Sequence, residues 1–134
     1  MIISHKYKFI FIKTLKTAGT SIEVDLSKIL GENDVATKIR PRVEGHIAQN
    51  YGFRKHGLFK HEWINHTPAS IIRKHLGARI FDNYFKFCVE REPVDKCISH
   101  YSMYQNSPKH KSRELSNLTW EEYLEIGNFP VDTE

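Results

Sequence analysis

Two short apolar runs, each followed by a loop and then by apolar residues at helical spacing, form the strongest pattern in this chain. The first run covers Tyr7–Ile12, and after a loop at 13–21 its helical stripe consists of Ile22, Leu26, Ile29 and Leu30. Gly31 follows, at a position where helices commonly end. The second run covers Tyr84–Val89, and the stripe beyond Pro93 consists of Val94, Cys97, Ile98, Tyr101 and Tyr104. Two such units predict an α/β fold with a parallel sheet.

A further helix is predicted between these two units. Thr67 and Pro68 resemble an N-cap followed by proline at the first helical position, which indicates a helix over 68–76. The segment 32–63, which leads up to it, is irregular and rich in basic residues and glycine. We therefore expect loops with at most short elements in that segment and little of the hydrophobic core.

The C-terminal quarter of the chain predicts one loop and one helix. Residues 106–116 are polar and are expected to form an exposed loop. Thr119 and Glu122 have the spacing of a capping box, which predicts the start of a last helix. Leu118 and Tyr123 flank this box as the expected hydrophobic staple.

Composition narrows the class of protein. The 134 residues have a net charge of +4, with 40% hydrophobic and 12% aromatic residues, which suits one folded domain over 1–134. The chain has neither a run of ~20 apolar residues nor a signal-peptide pattern, so we expect a cytoplasmic protein without a transmembrane segment. Cys88 and Cys97 are expected to pack as small hydrophobic side chains. The moderate positive charge favours a small anionic ligand over nucleic acid.

The loop at 13–21 has the residue types of an anion site at the end of a strand. Lys16 supplies a positive charge, Gly19 allows close backbone approach, and hydroxyl groups come from Thr17, Thr20 and Ser21. The single glycine follows the lysine, so the loop does not match the nucleoside triphosphate pattern of two glycines before a lysine. A hydroxyl-rich helix start without any ligand explains the same residues equally well.

The end of the second apolar run offers a second anion site. Arg91 lies at the strand end, and Ser99 lies two turns into the next helix, off its apolar stripe. Taken alone, Arg91 is more typical of a surface ion pair with Glu90 or Asp95. Two anion sites on neighbouring strands, however, suit a nucleotide that carries phosphates on both sides of one ribose.

These residues resemble the nucleotide-binding motifs of sulfotransferases, particularly the carbohydrate-directed and related bacterial members. The resemblance spans about residues 7–105 and is carried by four segments: Phe9-Ile10-Phe11-Ile12 leading to Lys16-Thr17-Ala18-Gly19-Thr20-Ser21; Gly31-Glu32-Asn33-Asp34; His66-Thr67-Pro68; and Phe85-Lys86-Phe87 leading to Arg91-Glu92-Pro93-Val94-Asp95-Lys96-Cys97-Ile98-Ser99-His100-Tyr101. The chain departs from the family at Leu15, Glu92 and Val94. It also ends at Glu134, short of the C-terminal elements usual in the family.

The resemblance implies a fold, a co-substrate and two groups of binding residues. The fold would be a P-loop-NTPase-like three-layer sandwich with a central parallel sheet, short at its C-terminus. The co-substrate would be 3′-phosphoadenosine 5′-phosphosulfate, with adenosine 3′,5′-bisphosphate as its product. The residues that would hold its 5′ end are Lys16, Thr17, Ala18, Gly19, Thr20 and Ser21. Arg91 and Ser99 would hold the 3′-phosphate.

Sulfuryl transfer needs charge stabilisation on the leaving phosphate and a base for the acceptor hydroxyl. Lys16 suits the first role, and no metal is required because the transferring group carries less charge than a phosphoryl group. His66 is the leading candidate for the base, although a capping or packing role is about as plausible; His61 and Glu62 are in reserve. His61 and His66 are five residues apart, so we do not expect a zinc site.

The sequence thus predicts a sulfotransferase that acts on a hydroxyl acceptor, most plausibly a saccharide. A truncated relative that binds nucleotide without turnover is the main alternative, and a small nucleotide kinase is disfavoured by the missing phosphate-loop pattern. Three aromatic residues, Phe53, Phe59 and Trp63, could stack on adenine or sugar, or could only pack the loop region. The shortened C-terminus would leave apolar surface exposed, so we also expect self-association.

Overall fold

The computed structural model describes residues 1–52, 54–56, 59–106 and 114–132, without the side chains of 54–56, 59–61, 114 and 115. Within these residues the chain divides into two compact units. We call Met1–Thr14 with Ala18–Val89 the sheet unit, and Leu15–Thr17 with Glu90–Asp132 the helical unit. The expectation of one domain over 1–134 stays a prediction.

The sheet unit contains a four-stranded sheet. Its strands are β1 (Ile2–Ser4), β2 (Phe9–Phe11), β3 (Val35–Ala36) and, after a two-stranded hairpin of β4 (Arg54–His56) and β5 (Phe59–His61), β6 (Phe85–Phe87). The spatial order is β3-β1-β2-β6. β2 and β6 fall inside the two apolar runs, which confirms both strand predictions.

The direction of the strands corrects the predicted fold. β1 pairs antiparallel with both β2 and β3, and β2 pairs parallel with β6. The expected P-loop-NTPase-like sandwich with a central parallel sheet is therefore wrong: the sheet is mostly antiparallel. The physical reason is the short connection between β1 and β2, which can only reverse the chain direction, whereas a parallel neighbour needs a long crossover.

The sheet buries both of its faces. Ile3, Ile10 and Val35 belong to one buried cluster, with Met1, Trp63 and Ile72. Their neighbours in sequence belong to a second cluster, formed by Ile2, Phe11 and Ala36. This division follows from the alternation of side chains along a strand. The expectation that 32–63 contributes little to the core is wrong, because that segment supplies β3 and Trp63.

The helices of the sheet unit are α1 (Gly19–Ser27), α2 (Ala69–Leu76) and α3 (Ala78–Asn83). α1 ends four residues before Gly31, and its buried positions are Gly19, Glu23 and Ser27. α2 agrees with the predicted helix, but Thr67 does not cap it. The Thr67 hydroxyl instead donates to the Ile64 carbonyl at 2.6 Å.

The helical unit contains α4 (Pro93–Asn106), a 3₁₀ turn (Glu114–Asn117) and α5 (Trp120–Ile126). The capping box of α5 is confirmed: Thr119 Oγ1 accepts from the Glu122 amide at 3.2 Å, and Glu122 Oε2 accepts from the Thr119 amide at 2.7 Å. Tyr123 is buried, and its ring packs against the aromatic rings of Tyr101, Trp120 and Phe129. Within the predicted loop at 106–116, residues 107–113 lie outside the described residues.

Two expectations about side-chain burial are wrong in part. Val94 and Ile98 are exposed and Lys96 is the buried residue of α4, so the predicted apolar stripe is covered only at its half-buried members Cys97, Tyr101 and Tyr104. Cys88 is exposed and does not pack as a core residue, while Cys97 is half-buried. The spacing of apolar residues along α4 did not predict which of its side chains would be buried, because the residues that pack against this helix are distant from it in sequence.

Candidate functional site

The two chain segments that carry the predicted site leave neighbouring parallel strands. Phe11 lies opposite Phe87, so β2 and β6 end at the same edge of the sheet. Beyond this edge the Ile12 amide donates to the Phe87 carbonyl at 2.9 Å, and the Thr14 hydroxyl donates to the Val89 carbonyl. The sequence-based pairing of the two strand ends is therefore correct, although the rest of the sheet is not parallel.

Lys16 and Arg91 both belong to the helical unit. Partial burial of Lys16 lowers its pKa below the usual value, and the positive charge of Arg91 lowers it further. In the part of the chain that the structure describes, neither side chain forms a salt bridge with a carboxylate. Two cations that repel each other in this way favour an anion in their vicinity.

The backbone of the first loop adopts an unusual conformation at two positions. Lys16 has a φ of 58° and Ala18 a φ of 59°, both in the left-handed region. Each costs about 1–2 kcal/mol for a residue other than glycine. Such conformations persist where the surrounding structure imposes them, and they are frequent at ligand-binding loops.

A carboxylate that sequence reasoning missed holds this loop in place. Asp132 Oδ1 accepts from the Leu15 amide at 2.7 Å, and its Oδ2 accepts from Lys96 Nζ at 2.7 Å. Lys96 Nζ also donates to Glu90 Oε1 at 2.9 Å. The Glu90 carboxylate thus forms its ion pair with Lys96, whereas from Arg91 it accepts only a hydrogen bond of the backbone amide, at 2.9 Å. Burial lowers the pKa of Lys96, but its hydrogen bonds to Asp132 and Glu90 outweigh burial and leave it above the usual value.

The helical unit also contains a cavity of about 580 Å³ beside Arg91. Its walls combine charged residues of the strand end and of α4 with apolar residues of the C-terminal segment. They include Glu90, Arg91, Lys96, Phe129, Val131 and Asp132. Thr17 is buried and Ser99 half-buried in the same unit, while Ala18, Gly19, Thr20 and Ser21 belong to the sheet unit.

In the sheet unit, Gly19 is required for packing. A Cβ atom at Gly19 would lie 2.7 Å from Cγ of Lys13, closer than folded proteins allow. The Lys13 side chain is buried there and donates from Nζ to Glu23 Oε2 at 2.6 Å and to Thr20 Oγ1 at 3.1 Å. The glycine therefore makes room for a buried lysine, a reason distinct from close approach to a ligand.

Glu23 is a fully buried charge surrounded by donors. Its Oε1 accepts from the Met1 ammonium and from Thr37 Oγ1, the latter at 2.8 Å. Burial would raise the pKa of Glu23, but the ammonium charge and the hydrogen bond from Lys13 outweigh it, so the pKa lies below its usual value. Glutamate and lysine are usually surface residues, so no sequence signal marked this buried pair.

His66 is held by the backbone of the same segment. Its Nδ1 lies 2.9 Å from the Lys13 carbonyl oxygen, and its φ of 50° is left-handed. Desolvation lowers the pKa of His66 below its usual value, although the hydrogen bond to Lys13 acts in the opposite direction. The imidazole is exposed and is expected to be neutral near pH 7.

The remaining candidates for stacking on a ligand or for the general base fall into three groups. Trp63 is 6% exposed and belongs to the core, so its role is packing. Phe53 and the side chains of Phe59 and His61 lie outside the described residues. Glu62 is half-buried. Among the described residues, no three His, Cys, Asp or Glu side chains lie together in a way that could hold a metal ion.

Comparison with known proteins adds one relative. No family model and no solved structure matches the chain. An uncharacterized protein of Archaeoglobus fulgidus is 36% identical over 70 residues, which cover 50% of this chain and 57% of that protein. The chain thus matches little more than half the length of this relative. In the described part of the structure, no helix is long and apolar enough to cross a membrane.

Proposed function

We propose that the chain is a sulfotransferase that moves the sulfuryl group of 3′-phosphoadenosine 5′-phosphosulfate to a hydroxyl group of a saccharide. The observation that carries the proposal is the pair of cations Lys16 and Arg91. They come from the loops that follow two neighbouring parallel strands, and within the described residues neither has a carboxylate partner. A nucleotide with separate phosphates at its 5′ and 3′ positions satisfies both.

The proposal assigns different phosphates to the two cations. Lys16, in its left-handed loop, binds the 5′-phosphate, and Arg91 with Ser99 binds the 3′-phosphate. Thr17 belongs to the same unit as Lys16, whereas Ala18, Gly19, Thr20 and Ser21 enter through the resemblance alone. The cavity beside Arg91 has apolar walls at Phe129 and Val131, which suit a flat organic group.

The transfer step requires no metal. The acceptor oxygen attacks sulfur while the bond between sulfur and the bridging phosphate oxygen breaks, and its electron pair stays on the phosphate of the departing bisphosphate. Lys16 stabilises the charge that develops there. By the resemblance alone, the hydroxyl proton goes to His66, which is exposed and whose lowered pKa keeps it unprotonated at neutral pH.

The decisive experiment measures binding of adenosine 3′,5′-bisphosphate and of adenosine 5′-phosphate by calorimetry. The proposal expects a clear preference for the bisphosphate, lost in Arg91→Ala and retained in Arg79→Ala, which removes an exposed arginine of α3. Equal affinity for both nucleotides would contradict the proposal. A preference for the bisphosphate without transfer of labelled sulfate to any saccharide would identify a nucleotide-binding protein that lacks turnover.

A further inference from the structure

Lys13 contacts three residues that the resemblance places in the proposed site. Gly19 and Thr20 belong to the loop for the 5′ end of the nucleotide, and His66 is the candidate base. The carbonyl oxygen of Lys13 lies 2.9 Å from His66 Nδ1, and its Nζ donates to Thr20 Oγ1 at 3.1 Å. Its side chain also fills the space that a Cβ of Gly19 would occupy. All of these residues belong to the sheet unit. Lys13 follows β2 directly after Ile12, so its backbone is anchored to the end of that strand.

The contact with His66 determines which ring nitrogen carries the proton. A backbone carbonyl only accepts hydrogen bonds, so the Nδ1 that faces it must be the donor. In the neutral imidazole, Nε2 then holds the lone pair. A base that takes a proton from an acceptor hydroxyl needs this tautomer, because Nε2–H could not accept.

The contact with Thr20 acts in a similar way on a hydroxyl group. The Lys13 ammonium can only donate, so Thr20 Oγ1 accepts and its own hydrogen is directed elsewhere. The ammonium is in turn fixed by Glu23, at 2.6 Å, and both side chains are almost fully buried, with exposures of 4% and 0%. A buried pair of this kind has little conformational freedom, so the groups attached to it are held in one geometry.

We infer that Lys13 is a positioning residue: its backbone carbonyl holds His66 in the tautomer with a free Nε2, and its ammonium, fixed by Glu23, orients the Thr20 hydroxyl to donate. This inference rests on the proposed function, since it is His66 and Thr20 that Lys13 positions. Neither Lys13 nor Glu23 contacts the reacting atoms in this scheme; both act through other residues.

The charges around His66 give the pair a second, measurable effect. The positive charge of Lys13 disfavours protonation of His66, and the carboxylate of Glu23 favours it. The Met1 amino group acts in the same direction as Lys13 where it is charged, but burial lowers its own pKa to about 5. Removing the Lys13 charge should therefore raise the pH at which His66 protonates. A variant that keeps the charge should leave that pH unchanged.

The first test is nitrogen NMR of the His66 imidazole in the parent protein above its pKa, with the signal assigned from the spectrum of His66→Gln. The expected state is the Nδ1–H tautomer. Finding the Nε2–H tautomer would overturn the inference whatever any variant does. This readout needs no substrate, so it is independent of whether the chain binds adenosine 3′,5′-bisphosphate or transfers sulfate.

The second test compares Lys13→Met and Lys13→Arg with Lys28→Met, which removes the lysine of an exposed pair with Asp25 near the end of α1. Lys13→Met should lower kcat by roughly 10–100-fold, because the Thr20 hydroxyl loses its fixed orientation, and should move the acidic limb of the pH profile upward. The backbone carbonyl remains, so His66 should keep the same tautomer. Lys13→Arg should retain the acidic limb of the parental pH profile, and Lys28→Met should match the parent in both kcat and pH profile.

Folding of the variants is followed by circular dichroism. If Lys13→Met does not fold, the double variant Lys13→Met/Glu23→Gln, which leaves no unpaired carboxylate, takes its place. A folded variant without the Lys13 charge that keeps both the acidic limb of the parental pH profile and the parental kcat would overturn the inference. If the parent protein shows no preference for adenosine 3′,5′-bisphosphate over adenosine 5′-phosphate, the proposed function is refuted. The tautomer of His66 is a separate result and is not affected by that outcome.

Discussion

Asp132 Oδ2 accepts a hydrogen bond from Lys96 Nζ at 2.7 Å, while the other oxygen of the same carboxylate accepts from the backbone of Leu15. Residues 117 positions apart in the chain are thereby joined directly before Lys16. The side chain of Lys96 is 10% exposed, so its charge depends on Asp132 and Glu90 for compensation. This carboxylate orders the loop on which the proposed nucleotide site depends.

Replacing Asp132 with alanine should therefore weaken both folding and binding. The Leu15 amide loses its acceptor and Lys96 loses one of its two carboxylates, which should cost about 1–3 kcal/mol in the free energy of unfolding. Affinity for adenosine 3′,5′-bisphosphate should fall as well. Urea unfolding and calorimetry measure the two effects, with Glu125→Ala, which removes an exposed carboxylate of α5, as the control. An unchanged unfolding midpoint would show that the hydrogen bonds of Asp132 contribute nothing to the free energy of unfolding.

Lys16→Ala should reduce turnover far more than nucleotide affinity. The charge of Lys16 is needed most when the leaving phosphate oxygen becomes anionic, and loss of one such group typically costs ~10²–10³ in rate. Steady-state assays of sulfate transfer, paired with bisphosphate calorimetry, check this expectation. Lys74→Ala removes an exposed lysine of α2 and should match the parent. Equal turnover in Lys16→Ala would exclude Lys16 from the mechanism.

Arg91→Ala should mainly weaken binding, because its phosphate is remote from the transferred group. A charge-assisted hydrogen bond of this kind contributes about 1.5–3 kcal/mol to binding. Ser99→Ala should have a smaller effect on the same measurement. The comparison of bisphosphate with 5′-phosphate isolates the 3′ position, so a loss of similar size for both nucleotides would place Arg91 elsewhere.

His66→Ala should lower turnover by roughly 10²–10⁴ and leave bisphosphate binding intact. In the parent, activity should fall as the pH drops through the pKa of His66, which lies below its usual value. The sign follows from the role: only the unprotonated ring accepts the hydroxyl proton. Glu62→Gln tests the reserve candidate under the same conditions. Parental transfer in His66→Ala, with loss in Glu62→Gln, would assign the base to Glu62.

Asp34 should make folding sensitive to acid. Its buried carboxylate accepts four hydrogen bonds, from Ser4 Oγ and from the amides of His5, Lys6 and Gly31. Burial raises the pKa of Asp34, but these bonds outweigh burial and leave it below the usual value. Its contribution is therefore complete above the unfolded pKa of about 3.9 and is lost as the pH falls below it.

The matching experiment compares the unfolding free energy of Asp34→Ala with that of the parent across pH. The variant leaves buried donors without an acceptor, which should cost about 1–3 kcal/mol or more near neutral pH. The difference should narrow as the pH falls below ~4, because Asp34 of the unfolded chain becomes protonated there while the folded carboxylate, with its lower pKa, takes up a proton only at lower pH. Asp25→Ala, in an exposed pair with Lys28, should show little difference at any pH. A constant deficit down to acid pH would contradict the assignment.

The sequence by itself determined the local features of this protein. The capping box of Thr119 and Glu122, the helix that ends at Leu76, the helix that begins at Pro93 and the strands inside the two apolar runs all depend on residues a few positions apart. Propensity, capping and hydrophobic spacing act over that range, so a linear pattern is enough to predict them.

Only the tertiary structure decided the direction of β1 and the partners of the buried charges. The three residues of β1 show no periodicity that distinguishes a strand from any other short apolar run, and its antiparallel pairing follows from the short turn to β2. The pairs Lys13 with Glu23 and Lys96 with Asp132 join side chains that are normally solvated. Their burial depends on charges and hydrogen bonds brought together from distant segments, which no local pattern encodes.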